Sequence, residues 1–330
     1  MEISPYLKLS VVMVGYCSSE NFLMALDHLR SQTVSALLEL IIVTRSRKEL
    51  HLAPSNLEGF SNYKILEIGE FESEGVAKAA GVMAASAPLV AFTEDHSYPD
   101  PLWAEALINA HSKGNFAVVG PVVLNANPHS SISWGTFLVL YSQWIAVQPH
   151  KEIKHLPGNH SCYKRELLLK YSSHLSEMLE AESILQWDLF NKGHHLYLEP
   201  TARAYHLNYS RLGPILSEYY RYSRIFAANR TIGWNGIRRL LYAFGSPLLP
   251  LIRLRRILMD ASRARLSMGV ILRALVPLLP ILCAGSVGEL SGYAFGAGKA
   301  YEGLLGVMSK HHLYYAPHDL QAVSKRLACN

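Results

Sequence analysis

The residues best suited to chemistry follow one short apolar run. Leu89-Val90-Ala91-Phe92 has the length and character of a fully buried strand. Glu94, Asp95 and His96 come directly after Thr93, and Tyr98-Pro99-Asp100-Pro101 then breaks the backbone. Leu102-Trp103-Ala104-Glu105-Ala106-Leu107 restarts it as a helix. A strand that ends in acids places their charge at the carboxyl edge of a sheet, where open α/β sheets bind ligands. Glu94 and His96 are two residues apart, so on an extended backbone both point to one side. A carboxylate and an imidazole so placed can share a divalent cation.

The elements that must hold this edge read as alternating strands and helices. Leu7 to Val14, Leu38 to Val43, Tyr63 to Ile68 and Phe116 to Val123 are strand-like, with Gly120-Pro121 expected to end the last. Asn21 to Arg30 carries Phe22, Ala25, Leu26 and Leu29 at helical spacing, and Glu74 to Ala87 is a small-residue helix in which Gly81 allows close approach to the sheet. Alternation of this kind predicts an α/β fold with a mostly parallel, Rossmann-like central sheet. Further on, Ser130 to Trp144 reads as an aromatic loop, Glu177 to Lys192 as one helix closed by Gly193, and His194 to Leu198 with Arg203 to His206 as two short strands.

Composition adds a second region of different character. The chain has 330 residues, half of them apolar and 17% charged, which excludes a disordered protein. Its net charge of +5 is uneven: twelve Arg against Glu218 and Asp260 between Arg211 and Arg273 give a local +10, so the remainder carries about −5. These arginines interleave with Leu, Ile and Pro, which favours an anionic membrane surface over nucleic acid as the partner. Met268 to Gly288 approaches the length of a bilayer span, but Arg273, Pro277 and Pro280 make a kinked interfacial helix its rival. The glycines at 285, 288, 292, 296 and 298 suit tight helix packing. The four cysteines lie far apart, without the spacing of a zinc site or a disulfide framework. Met-Glu-Ile-Ser-Pro at the N-terminus is not a basic-then-apolar leader, so a cytoplasmic membrane face is expected.

Taken in order, the motifs resemble the family 2 glycosyltransferases of the GT-A fold, over roughly Leu7 to His206. Val14-Gly15-Tyr16 matches the turn after the family's first strand, and Ala77-Lys78-Ala79-Ala80-Gly81 its Ala-Arg-Asn-x-Gly helix. Phe92-Thr93-Glu94-Asp95-His96 with Pro99-Asp100-Pro101-Leu102-Trp103 matches the aspartate-rich strand end and the Pro-Asp-Pro-x-Trp that follows it. Gly158-Asn159 matches a Gly-Asn turn, Ala181-Glu182 ahead of Gly193 an acidic pair, and Pro200-Thr201-Ala202-Arg203-Ala204-Tyr205-His206 a closing Pro-x-Ala-x-x-x-His. The chain departs from the family twice. Thr44-Arg45-Ser46-Arg47 stands where the family has Asp-Asp-Gly-Ser, and Glu-Asp-His replaces Asp-x-Asp, which softens the metal site toward Mn²⁺ over Mg²⁺.

The resemblance implies an inverting enzyme that moves a sugar from a nucleotide-sugar donor to a hydroxyl acceptor with a divalent cation (Mn²⁺ or Mg²⁺). Glu94, His96 and His206 are then the metal ligands, and Tyr16, Arg45, Lys78, Glu94 and Asp95 the donor-binding residues. Glu182 is the base that takes the acceptor proton, with Glu180 in reserve. The catalytic domain is expected over 1–210, followed by an Arg-rich, helical, membrane-associating region over 211–330. A lipid or lipid-linked glycan at the membrane is the expected acceptor. The rival reading is a non-catalytic, membrane-associated partner that binds a nucleotide sugar or glycan, motivated by the lost Asp-Asp-Gly-Ser. A nucleotidyltransferase ranks lower, since Val14-Gly15-Tyr16-Cys17-Ser18-Ser19 is neither Gly-rich nor basic.

Overall fold

The structure, a computed structural model, describes residues 6–60, 62–146 and 153–328. It divides into two compact units, residues 1–124 with 147–206 and residues 125–146 with 207–330.

The apolar runs become the strands of the first unit: β1 (Leu9–Val14), β2 (Leu38–Thr44), β3 (Asn62–Glu67) and β4 (Leu89–Thr93). Four more follow: β5 (Ser97–Pro99), β6 (Phe116–Asn125), β7 (Cys162–Lys164) and β8 (His195–His206). They form an eight-stranded sheet in the order β3-β2-β1-β4-β7-β6-β8-β5. The first four strands are parallel, and β7 then pairs antiparallel with both β4 and β6, as β8 does with β5. Every residue of β1, β2 and β4 is buried, which is why they read as unbroken hydrophobic runs rather than alternating ones. Glu39, buried in β2, is satisfied by Ser10 Oγ at 2.5 Å, the Ser86 amide at 2.8 Å and Lys64 Nζ at 2.7 Å. The helix Glu74–Ala84 lies on β1, and a Cβ at Gly81 would collide with Val12.

Three expectations change. The segment read as an aromatic loop contains the helix Ser131–Tyr141. β6 runs through Gly120-Pro121 instead of ending there, and β8 is one strand instead of two. Pro200 and Thr201 in β8 are exposed, and Glu199 Oε1 accepts the Thr201 amide at 2.9 Å, so the proline is tolerated where water and a side chain serve the backbone. No disulfide joins Cys17, Cys162 and Cys283, and Cys329 lies outside the described residues.

The second unit is helical. Its two chain segments are tied by a buried amide knot. Asn127 Nδ2 donates to the Asn208 carbonyl at 2.7 Å, Asn208 Nδ2 to Asn125 Oδ1 at 3.1 Å, and the Asn208 amide to Asn127 Oδ1 at 2.9 Å. The helix Met268–Phe295 packs on Leu212–Arg230 through Gly285, Gly288 and Gly292, as the glycine spacing predicts. A Cβ at Gly288 would strike the Tyr220 carbonyl, a backbone atom with no room to retreat. Gly288→Ala is therefore expected to cost about 1–3 kcal/mol, read as a fall of several degrees in the melting temperature of the full chain. An unchanged melting temperature would show that the two helices can separate freely.

Candidate active site

The site is built where β4 ends. Antiparallel pairing sets Ala91 opposite Cys162, and the Phe92 amide donates to the Ser161 carbonyl at 3.2 Å. The short turn Gly158–His160 just before β7 is thereby carried to the end of β4, beside Glu94. At the other side, Ser97 of β5 stands opposite His206, the last residue of β8. Three separate parts of the chain thus meet at one carboxylate. Glu94 Oε2 lies 3.3 Å from His206 Nε2, 3.4 Å from His160 Nε2 and 3.9 Å from His96 Nε2.

Glu94, His160 and His206 each offer a ligand atom within 4.8 Å of the other two. The donor set fits a divalent cation. Burial lowers the His160 pKa to about 3, so its imidazole is neutral and its nitrogen lone pair is available. Glu94, though burial opposes its charge, is held well below the usual carboxylate range by His96, His206 and His160, so it is ionised. One carboxylate and imidazoles suit Mn²⁺ or Zn²⁺ better than Mg²⁺. His96 borders this set: its Nδ1 is 2.9 Å from Asp95 Oδ1, and its ring meets that of His206 edge-on at 4.8 Å. Asp95 thus faces His96, and its backbone carbonyl accepts Asn21 Nδ2 at 3.2 Å.

Asn159 joins this cluster to a second one. Its Nδ2 donates to Glu94 Oε1 at 2.6 Å, and its Oδ1 accepts Lys78 Nζ at 2.5 Å. Lys78, one turn into the helix Glu74–Ala84, ion-pairs with Glu182 Oε1 at 2.7 Å and comes within 3.8 Å of Glu74. Burial disfavours the Lys78 ammonium, but Glu182 and Glu74 overcome that and hold its pKa well above the ordinary lysine value. Burial raises Glu74 to about 7 against the pull of Lys78. Tyr16 donates to Glu74 Oε1 at 3.0 Å, and the Arg45 guanidinium stands 5.9 Å over the Tyr16 ring while meeting Glu70 at 3.3 Å. Tyr16, Lys78, Glu94 and Glu182 are therefore linked through Glu74 and Asn159, with Arg45 beside the Tyr16 ring.

The helix expected over 177–192 is broken, and the break separates the roles of its two acids. The chain leaves the helix Leu175–Glu180 at Ala181 (φ −134°, ψ 69°) and restarts at Glu182. Glu180 Oε2 accepts the Gly75 amide at 2.7 Å, so it closes the N-terminus of the Glu74–Ala84 helix. That leaves Glu182 turned toward Lys78 and packed against Gly158, where an added Cβ would lie 2.7 Å from the Glu182 Cβ. Gly158 thus makes the room that Glu182 occupies.

Asn159 is marked in the sequence only by the Gly158-Asn159 turn, and His160 carries no recognisable signal of its own; the placement of β7 beside β4 gives both a part. Glu74 is likewise an ordinary acid at a helix start until Tyr16 and Lys78 are seen to reach it.

No protein-family model and no curated protein matches the sequence. Among solved structures, S. aureus TarS (residues 1–349) in complex with UDP-GlcNAc is similar at 12% identity, over 94% of this chain and 93% of that one, with a TM-score of 0.51. The chain shares the fold of that structure. The same TarS segment in complex with UDP aligns at 16% identity over 90% and 92% of the two chains, with a TM-score of 0.48.

Proposed function

We propose that the chain is a metal-dependent glycosyltransferase that moves a sugar from a nucleoside-diphosphate sugar to a hydroxyl acceptor with inversion. The observation that carries this reading is the meeting of Glu94, His160 and His206 at one carboxylate oxygen, joined through Asn159 to the Lys78–Glu182 pair. The capture of UDP-GlcNAc by TarS, on the same fold, favours a uridine diphosphate sugar as donor.

Glu94, His160 and His206 would hold the cation, with His96 beside them kept in orientation by Asp95. The cation would act as a Lewis acid on the leaving diphosphate. Lys78 adds a fixed positive charge next to that group. Tyr16 and Arg45 provide a ring and a guanidinium for the nucleotide end, in place of the carboxylate that the Thr44-Arg45-Ser46-Arg47 turn lacks. Glu182 takes the proton of the acceptor hydroxyl as its oxygen forms the new bond to the anomeric carbon. The bond from that carbon to the diphosphate breaks on the opposite side, and the nucleoside diphosphate departs with the electron pair. A lipid or lipid-linked glycan at the cytoplasmic membrane face is the acceptor class proposed.

The test is nucleotide release from a panel of nucleotide sugars by the purified chain, with Mn²⁺ and after chelation. Release with Mn²⁺ that falls at least about 100-fold on chelation is expected. Release indifferent to the metal would overturn the metal-dependent mechanism, and binding without release would identify a non-catalytic carrier of the donor.

A further inference from the structure

We propose that the second unit binds an anionic phospholipid bilayer as a one-sided, non-spanning anchor, with the helix Met268–Phe295 lying in the interface and not across it. This deepens the membrane reading above but stands on observations of its own. Within the helix Gly236–Gly245, Ile237, Leu240, Leu241 and Phe244 follow the spacing of a single helical face, and all four are exposed, Phe244 to 80%. Leu248, Leu251 and Ile252 continue the exposed apolar surface into Leu249–Arg263, along which Leu251, Leu254, Leu258 and Met259 line a groove. The helix Met268–Phe295 adds its own exposed stripe, Met268, Leu272, Val276, Leu279 and Val287. Soluble monomers rarely leave so much apolar surface to water without a partner for it.

Charge selects the partner. Between Gly236 and Arg273 the chain holds eight arginines and a single acid, Asp260. Asp260 is buried and lies 3.5 Å from Arg263, while Arg238, Arg255, Arg256, Arg263, Arg265 and Arg273 are exposed. Exposed apolar faces flanked by arginine match an interfacial helix at an anionic leaflet. A second copy of the chain would bring the same positive charge against itself.

The other side of Met268–Phe295 explains why it does not span. Its length and mean hydropathy of 2.1 suit a crossing. Yet Gly285, Gly288 and Gly292 seat it against the helix Leu212–Arg230, which carries Glu218, Arg221, Arg224 and Arg230. Glu289 is buried in an ion pair with Arg253 and accepts Tyr293 at 3.0 Å, and Ser286 donates to the Ser246 carbonyl at 2.8 Å. A crossing would draw these charges and polar ties into hydrocarbon, or strip the helix from its neighbours.

The experiment uses the full chain without donor or acceptor, so its outcome is independent of sugar transfer. Sedimentation with phosphatidylcholine vesicles is compared with vesicles of phosphatidylcholine and phosphatidylglycerol at three to one. Binding to the anionic vesicles should be tighter by at least about tenfold, since each arginine near the surface adds roughly fivefold. Arg238→Gln with Arg255→Gln should remove most of that preference. Leu241→Asp with Phe244→Asp should abolish binding to both vesicles, with thermal melting confirming that each variant folds. Alkaline carbonate should release the wild-type chain from the vesicles. Resistance to carbonate would show a spanning helix and overturn the proposal. So would vesicle binding unmoved by either pair of substitutions, or a dimer in solution that Leu241→Asp with Phe244→Asp dissociates while vesicles are ignored.

Discussion

Glu94→Gln is expected to lower nucleotide release by on the order of 10³-fold and to abolish tight Mn²⁺ binding by the chain. The oxygen it changes is the one toward which His206, His160 and His96 converge, at 3.3, 3.4 and 3.9 Å. A glutamine amide is close in shape and can still accept the Asn159 Nδ2 proton, so the loss is one of charge and donor strength. His160→Ala should repeat the loss of metal affinity, because the buried, neutral imidazole is the second arm of the same set. The competing account treats the cluster as a buried polar core that only holds β4, β7 and β8 together. On that account both variants would melt earlier while Mn²⁺ titration of the surviving fold, followed by calorimetry, gave the wild-type affinity. That pattern would remove the cation from the mechanism.

The parallel half of the sheet was legible in the sequence because three of its four strands, all but the edge strand β3, are buried on both faces. β1, β2 and β4 are uninterrupted apolar runs, and a run of that kind needs no partner to be recognised. The antiparallel half was not legible in the same way. β7 has three residues, and its position between β4 and β6 is a tertiary fact that no local pattern announces. Yet that placement brings Asn159 and His160 to Glu94. The Pro200 in β8 suggested a break where exposure makes a proline harmless. Ser131–Tyr141 is rich in aromatic and β-branched residues, which are weak helix formers, so its helical state reflects burial within its unit more than propensity.

The acids show the same division between local and long-range information. Glu94 was visible as chemistry because it ends an apolar run, and Glu182 because the family resemblance places the base at its position. Glu180 and Glu182 differ by two positions and have similar surroundings in sequence. What separates them is the backbone at Ala181, which ends one helix and starts the next, and that turn has no composition of its own. Glu180 then spends its charge on the Gly75 amide, whereas Glu182 faces Lys78.

Glu182→Gln is expected to lower kcat by about 10²–10⁴-fold while leaving the donor KM close to wild type, as removal of a general base should. The pair it belongs to complicates the reading. Lys78 Nζ lies 2.7 Å from Glu182, both side chains are largely buried, and breaking such a pair costs about 3–5 kcal/mol by orphaning the remaining charge. A loss of activity could therefore be a loss of structure. Combining Glu182→Gln with Lys78→Met separates the two, because the second substitution removes the orphaned ammonium. Were Glu182 only the counter-ion of Lys78, the double variant would recover both melting temperature and kcat. As the base, it leaves the double variant inactive although its melting temperature rises again. Lys78→Met alone should mainly raise the donor KM, since Lys78 is assigned to the diphosphate and not to the acceptor. An effect of Lys78→Met confined to kcat, with a full recovery in the double variant, would move proton transfer away from Glu182.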